Sequence, residues 1–138
     1  MKKIIILLIV TVMFSACSKK VLDFSSDKYF GIKELIKSKN CDSDCDEQAS
    51  CEGEIVKLEG VLDESNVNFD QSQFWLIDSH NQSISIMVDV SQEMKVDIFK
   101  KLKGKKNKLI KVKGKIKGFA AHYNFNCDRK FYIILIDM

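Results

Sequence analysis

The sequence predicts a mainly β domain of five strands, with one helix between the third and fourth strands and a short helix ahead of the first. Three observations predict it. From residue 53 onward apolar residues recur at every second position, the period of a strand with one buried face. Within 91–104 the period switches to that of an amphipathic helix. Gly60 and Gly114 lie inside two of the strand patterns, where glycine marks a sharp bend such as a barrel corner.

The chain opens with Lys2-Lys3, an apolar run over residues 4–14 and the small pair Ser15-Ala16 ahead of Cys17. This is the layout of an export signal. The run would rise about 16 Å as a helix, against a hydrocarbon core of roughly 30 Å, so it is too short for a permanent span. Phe14 is bulky where ordinary cleavage wants a small side chain. The order Phe14-Ser15-Ala16-Cys17 resembles the lipobox of bacterial lipoproteins. That resemblance implies a diacylglyceryl group on the Cys17 sulfur, loss of residues 1–16 and acylation of the new amine. Ser18 resembles the outer-membrane sorting signal of Gram-negative lipoproteins, which places the protein in a bacterial envelope, facing periplasm or exterior. Two or more acyl chains hold a protein stably on a bilayer.

Residues 17–27 are polar and read as a lipidated tether. Asp27 is placed to cap a short helix over 28–37, with Tyr29, Ile32, Leu35 and Ile36 on one face. The rest of 28–52 is an acidic, cysteine-bearing loop: residues 41–54 hold six carboxylates and no base. The main domain follows over 53–138. Its first strand carries Val56, Leu58 and Leu62. Residues 63–71 are polar and loop-like. The second strand covers 73–78, and the third alternates Ile84, Ile86, Val88 and Val90 with polar partners. Ser91 is placed to cap the helix, whose apolar face is Met94, Ile98, Phe99 and Leu102, and Gly104 to end it. The fourth strand covers 108–119, a loop runs over 119–128, and the last strand covers 130–138.

Strand, strand, strand, helix, strand, strand is an order that resembles the OB-fold, a five-stranded Greek-key barrel. The pieces FWLID and KVKGKIKG look like its second and fourth strands, and the interior glycines suit its long, bent first and fourth strands. The whole looks most like the small bacterial OB-fold lipoproteins.

After Cys17, the cysteines are Cys41, Cys45, Cys51 and Cys127. In an exported protein disulfides are the default, and four cysteines allow three connectivities among which sequence does not choose. In the OB-fold the start of strand one lies near the end of strand four, so the resemblance implies Cys51–Cys127 and leaves Cys41–Cys45. The longer bridge would close a loop of about 77 residues, worth roughly 4 kcal/mol in the chain-entropy account. A zinc site with His122 would need a second close ligand pair, which Cys51 and Cys127 do not make, so no metal is expected.

The formal charge is +3, and loss of Lys2 and Lys3 leaves the mature chain nearly neutral. Its distribution is uneven, because residues 100–117 hold ten lysines and no acid. Lys111, Lys113, Lys115 and Lys117 share one strand face. The plainer reading is a solvated face that also discourages edge pairing; the sharper one is a field for anionic lipid or a polyanion. Phe119, His122, Tyr123 and Phe125 crowd the 119–128 loop, either to stack on a ligand or to close the barrel end. Trp75, the sole tryptophan, lies in a strand apolar on both faces and is expected to pack under the first helix, with ligand contact the alternative.

His80 and His122 are the only histidines, and neither a hydrolase signature nor a phosphate-cradling glycine loop is present. His122-Tyr123 lacks the three-residue separation of the haem-handling exported OB-folds, so no cofactor and no enzyme activity are expected. The expected role is a non-catalytic, lipid-anchored envelope module that binds a protein or a small polymer near 63–71 and 119–128. Binding of single-stranded nucleic acid or oligosaccharide through the OB face ranks second.

Overall fold

The computed structural model describes residues 19–41, 50–123 and 126–138, with the description of 119–123 and 126–129 confined to the backbone. Its elements in chain order are β1 (Phe30–Gly31), α1 (Ile32–Ile36), a 3-10 turn (Lys39–Cys41), β2 (Ile55–Asn68), β3 (Gln73–Ile77), β4 (Ser85–Asp89), α2 (Lys95–Leu102), β5 (Leu109–Tyr123) and β6 (Asn126–Asp137). The sheet order is β1-β2-β3-β4-β6-β5, and β5 returns to pair with β2. Strands β2 to β6 therefore form a closed five-stranded barrel, with the two-residue β1 running parallel to β2 outside the circuit. Within the barrel, β4 and β6 are parallel and the other neighbours antiparallel. Among the described residues no helix is long and apolar enough to cross a membrane.

Alternation decides which face is buried. Val56, Leu58 and Leu62 of β2, Phe74 and Leu76 of β3, Ile86 and Val88 of β4, Ile110, Val112 and Ile116 of β5, and Ile133 and Leu135 of β6 fill the interior. Both interior glycines prove to be close approaches. A Cβ on Gly60 would stand 2.6 Å from Ile32 Cδ1 and 3.0 Å from the Ile77 carbonyl oxygen. One on Gly114 would overlap Ile133 Cγ2 and stand 2.7 Å from the Ile134 carbonyl oxygen. At Gly114 the β5–β6 register also shifts, from Lys113↔Asp137 to Gly114↔Leu135, so Ile136 is the extra residue of a bulge.

Strands β3 and β4 lie close to where periodicity places them. Two segments expected to be loops are strand instead. Strand β2 runs through 63–68 to Asn68, with a register shift between Asp63 and Asn68, and residues 119–123 continue β5 opposite β6. Both are hairpin arms that outrun the barrel.

The helices start later than local signals suggest. The expected helix over 28–37 is α1 at Ile32–Ile36, because Phe30 is buried in extended chain opposite Leu58. Asp27 does not cap it but pairs with Lys57 at 2.5 Å. The N-cap is Gly31, whose N–H donates to Glu34 Oε2 at 3.4 Å, and the Asp78 carboxylate takes the Lys33 N–H at 2.8 Å. Ser91 likewise does not cap α2. A turn precedes that helix, with Met94 at the N-cap and its N–H donating to the Ser91 carbonyl at 3.1 Å. Gly104 follows α2 with φ +72°, the left-handed conformation that ends a helix.

The stretch expected to be a tether docks from Lys20 onward. Leu22 is buried and both its backbone groups bond to the Asn40 side chain, at 2.7 and 3.1 Å. Phe24 meets Phe30 edge-on, with centroids 6.2 Å apart.

The disulfide is Cys41–Cys51, which replaces the implied Cys51–Cys127 and Cys41–Cys45 pairs. The reason is geometric. Cys127 pairs with His122 on the hairpin, four residues beyond Gly118, where an added Cβ would lie 3.7 Å from Glu52 Oε2. Four strand residues span about 13 Å, whereas bridged Cα atoms lie within about 7 Å. Cys41, on the turn after α1, lies with its Cα 4.9 Å from that of Cys51. Cys45 lies outside the described residues. Replacing both Cys41 and Cys51 by Ala is expected to lower the unfolding free energy by roughly 2–3 kcal/mol, read from urea denaturation of the oxidised proteins.

Candidate functional site

The interior positions leave Trp75, Met87 and Tyr132 on the outer face of three neighbouring strands, each half-buried. The registers put them in one line: Asp63↔Trp75, Trp75↔Met87, Met87↔Tyr132 and Tyr132↔Lys117. With strands about 4.8 Å apart, the line from Trp75 to Lys117 spans roughly 14 Å. A second line runs Gln73, Asp89, Ile134, Lys115. The outer barrel wall thus carries an aromatic and thioether strip that leads to two lysines. Trp75 does not pack under α1 as expected; Ile32 of that helix packs against Gly60 and Leu76 instead. Trp75 borders a polar hollow of about 360 Å³ together with the β2–β3 hairpin, including Ser65, Asn66, Asn68 and Gln73. The 63–71 stretch, expected as a loop near the ligand site, is thus largely a hairpin arm, and it lies beside Trp75.

Sequence reading missed Tyr132 and Met87 as partners of Trp75. Tyr132 is placed by the parallel β4–β6 pairing, between strands separated in the chain by α2 and β5, whereas Met87 lies opposite Trp75 across the β3–β4 hairpin. Alternation in 130–138 would have shown Tyr132 facing out, but not what lies beside it.

Lys111, Lys113 and Lys115 are exposed on β5, and Lys117 is half-buried. Strand β5 is paired on both sides only over 113–115; Lys111 pairs with β2 alone and Lys117 with β6 alone. Opposite Lys111, Lys113 and Lys115 on β2 stand Glu59, Lys57 and Ile55. The hydrogen bond and charge of Asp27 raise the Lys57 pKa, and Lys57 lowers that of Asp27 in turn. Lys111 Nζ sits 4.9 Å from the centroid of the Tyr29 ring, a cation–π distance that joins the lysine row to the N-terminal segment.

Beyond Tyr29 opens a cleft of about 940 Å³ between that segment, α1 and the β3–β4 turn. Lysines 19, 20, 28, 33 and 37 line it, with Glu34, Glu59 and Asp78. Glu34 Oε1 lies 2.9 Å from Lys20 Nζ and 3.6 Å from Lys28 Nζ. Asp78 is 3 % exposed. Burial alone would raise its pKa, but N–H groups of Lys33, His80 and Asn81 donate to it and hold the carboxyl below its usual range. Ser79 Oγ and His80 Nδ1 are 3.0 Å apart, but Asp78 meets His80 through the backbone N–H, so this triplet does not form a hydrolytic relay.

Of the other candidates, Cys17 and Phe125 lie outside the described residues. The backbone places Phe119, His122 and Tyr123 on the β5 arm, opposite Lys130, Cys127 and Asn126. Phe119 follows Lys117 by two residues, so this arm continues from the end of the Trp75–Lys117 line. No protein-family model matches the chain, and no curated protein or solved structure is significantly similar to it.

Proposed function

We propose that the chain is a non-catalytic binding module, anchored in a bacterial envelope membrane by acylated Cys17 and built on an OB-fold. Two observations support the fold: the barrel circuit with parallel β4 and β6, and the place of α2 between the third and fourth barrel strands. The lipobox-like Phe14-Ser15-Ala16-Cys17 supports the anchor. The observation that carries binding is the Trp75–Met87–Tyr132 strip. Three large side chains are spent on an outer wall although the interior is filled without them. Such a strip offers flat apolar area at low entropic cost, the composition favoured at protein-binding hot spots. The ligand is accordingly a protein segment or a small polymer.

A photo-crosslinking residue in place of Met87, in the organism's own envelope, is expected to give a discrete protein adduct that the same residue at exposed Val96 does not. Identical products at both positions would defeat the reading.

The lysines at the end of the strip favour a second reading, a single-stranded nucleic acid or anionic oligosaccharide stacked on the aromatics. Trp75 is the only tryptophan, so its fluorescence reports on the site directly. On this reading an oligothymidylate should quench the emission at low salt and lose its effect at high salt. The protein-ligand reading expects no change in either.

A further inference from the structure

The cleft beside α1 lies where an acylated chain meets its membrane. Lys19 is two residues from Cys17, which keeps their Cα atoms within about 7 Å even in extended chain. Little slack follows. The Lys39 N–H donates to the Lys20 carbonyl at 2.9 Å, and Leu22 is buried and held by Asn40. A lipid on Cys17 would therefore determine which side of the barrel faces the bilayer. On that side Lys28, Lys33 and Lys37 are exposed around the cleft, and Lys111 joins them across the Tyr29 ring. Among the described residues the acids lining the cleft do not balance them. Glu34 is shared between Lys20 and Lys28, Glu59 stands opposite Lys111, and Asp78 is buried against backbone N–H groups.

We infer that Lys28, Lys33 and Lys37 seat anionic phospholipid headgroups of the same bilayer that holds Cys17. This is a second, electrostatic attachment, and it rests on the acylation reading above. Ammonium groups near an anionic leaflet are attracted within a Debye length, and the short link from Cys17 keeps these within that range. Two attachments orient the barrel where one acyl anchor would leave it free to roll. The β3–β4 turn faces the bilayer, and the β2–β3 hairpin at the other end of β3, with Trp75 beside it, points away toward a ligand.

The test uses the full chain, acylated in its own host and reconstituted into two kinds of vesicle: phosphatidylcholine alone, and phosphatidylcholine with phosphatidylglycerol. An amine-reactive reagent labels the lysines, and mass spectrometry reads each site. Labelling of Lys28, Lys33 and Lys37 is expected to fall several-fold in the anionic vesicles and recover at high salt, while Lys100 and Lys103 of the α2 region label alike in both. The Lys33→Gln/Lys37→Gln variant, altered only at exposed positions, is expected to lose much of the protection at Lys28. Equal labelling in the two vesicles overturns the inference. So does protection by inorganic phosphate added to the neutral vesicles, because the site would then be one for a free anion. A chain that floats with neither vesicle overturns the anchor itself, whereas one that floats with both and labels alike overturns the headgroup contact alone.

Discussion

Gly114→Ala is expected to lower the unfolding free energy by about 3 kcal/mol, the upper end of what one added methyl costs in a packed interior. The position is buried on β5 and paired on both sides, with Val56 of β2 and Leu135 of β6. The new Cβ would overlap Ile133 Cγ2 and crowd the Ile134 carbonyl oxygen at 2.7 Å. Neither neighbour can move cheaply. Ile133 is fully buried and β-branched, so its χ1 is stiff. The Ile134 carbonyl belongs to β6 beside the bulge at Ile136, and shifting it disturbs the pairing that closes the barrel. In a domain of this size the loss lowers Tm by roughly 10 °C.

Gly118→Ala provides the control. On the same strand, its Cβ would come nearest to Phe131 ring carbons at 3.3 and 3.4 Å and Glu52 Oε2 at 3.7 Å, so the change is expected to stay within about 1 kcal/mol. Gly60→Ala should fall between them, because its closest clash is with the far end of the Ile32 side chain. Thermal melts of the three variants check the order. If Gly118→Ala costs as much as Gly114→Ala, close approach is not what selects glycine at position 114.

What the sequence made legible follows from burial. Strands β3 and β4 and the inward residues of β2 and β5 could be read because each has one face in the interior, and a buried face imposes a period of two. The interior glycines stood out because each interrupts an apolar alternation, and the structure shows each to be a close approach. The hairpin arm at 63–68 could not, since Glu64, Ser65 and Asn66 are all exposed and leave no periodic mark. The cap on α1 was equally invisible. Its acceptor, Asp78, is 45 residues from the Lys33 N–H it receives, whereas Asp27, close by in sequence, is engaged with Lys57. The disulfide failed for a related reason. A general barrel topology brings the start of one strand near the end of another, but the length of the β5–β6 hairpin decides where Cys127 goes. The Trp75–Met87–Tyr132 strip needs the strand order itself, which alternation does not encode.

Asp78→Ala is expected to cost about 3 kcal/mol, from a buried carboxylate whose removal leaves N–H donors without their acceptor. The three donors belong to two separate elements. His80 and Asn81 N–H groups, both 3.0 Å from Oδ1, close the β3–β4 turn, and the Lys33 N–H, 2.8 Å from Oδ2, ties that turn to α1. Asp78→Asn should cost less, since an amide oxygen can keep the turn while its NH₂ group faces the Lys33 donor. The pH dependence separates charge from shape. Burial acts to raise the Asp78 pKa and the three N–H bonds outweigh it, so the folded carboxyl titrates below its unfolded value. Its ionic contribution is therefore fully present above about pH 4, the unfolded range, and is lost as pH falls through the folded pKa. Asp23, Asp27, Glu34 and Asp63 are lowered as well, but they remain in the Asn variant and cancel in the difference. Urea unfolding of the wild type and Asp78→Asn should show a gap that is constant from pH 7 to about 5 and narrows toward pH 3. A gap that does not narrow would mean the N–H groups do not hold Asp78 as an anion. Hydrogen exchange locates the same loss. In Asp78→Ala the amides of Lys33 to Lys37 should exchange faster while those of β5 stay protected, because α1 can lift from the barrel without opening it. The lysine-lined cleft depends on α1 staying docked, to which this carboxylate contributes beside the buried Ile32 and Leu35.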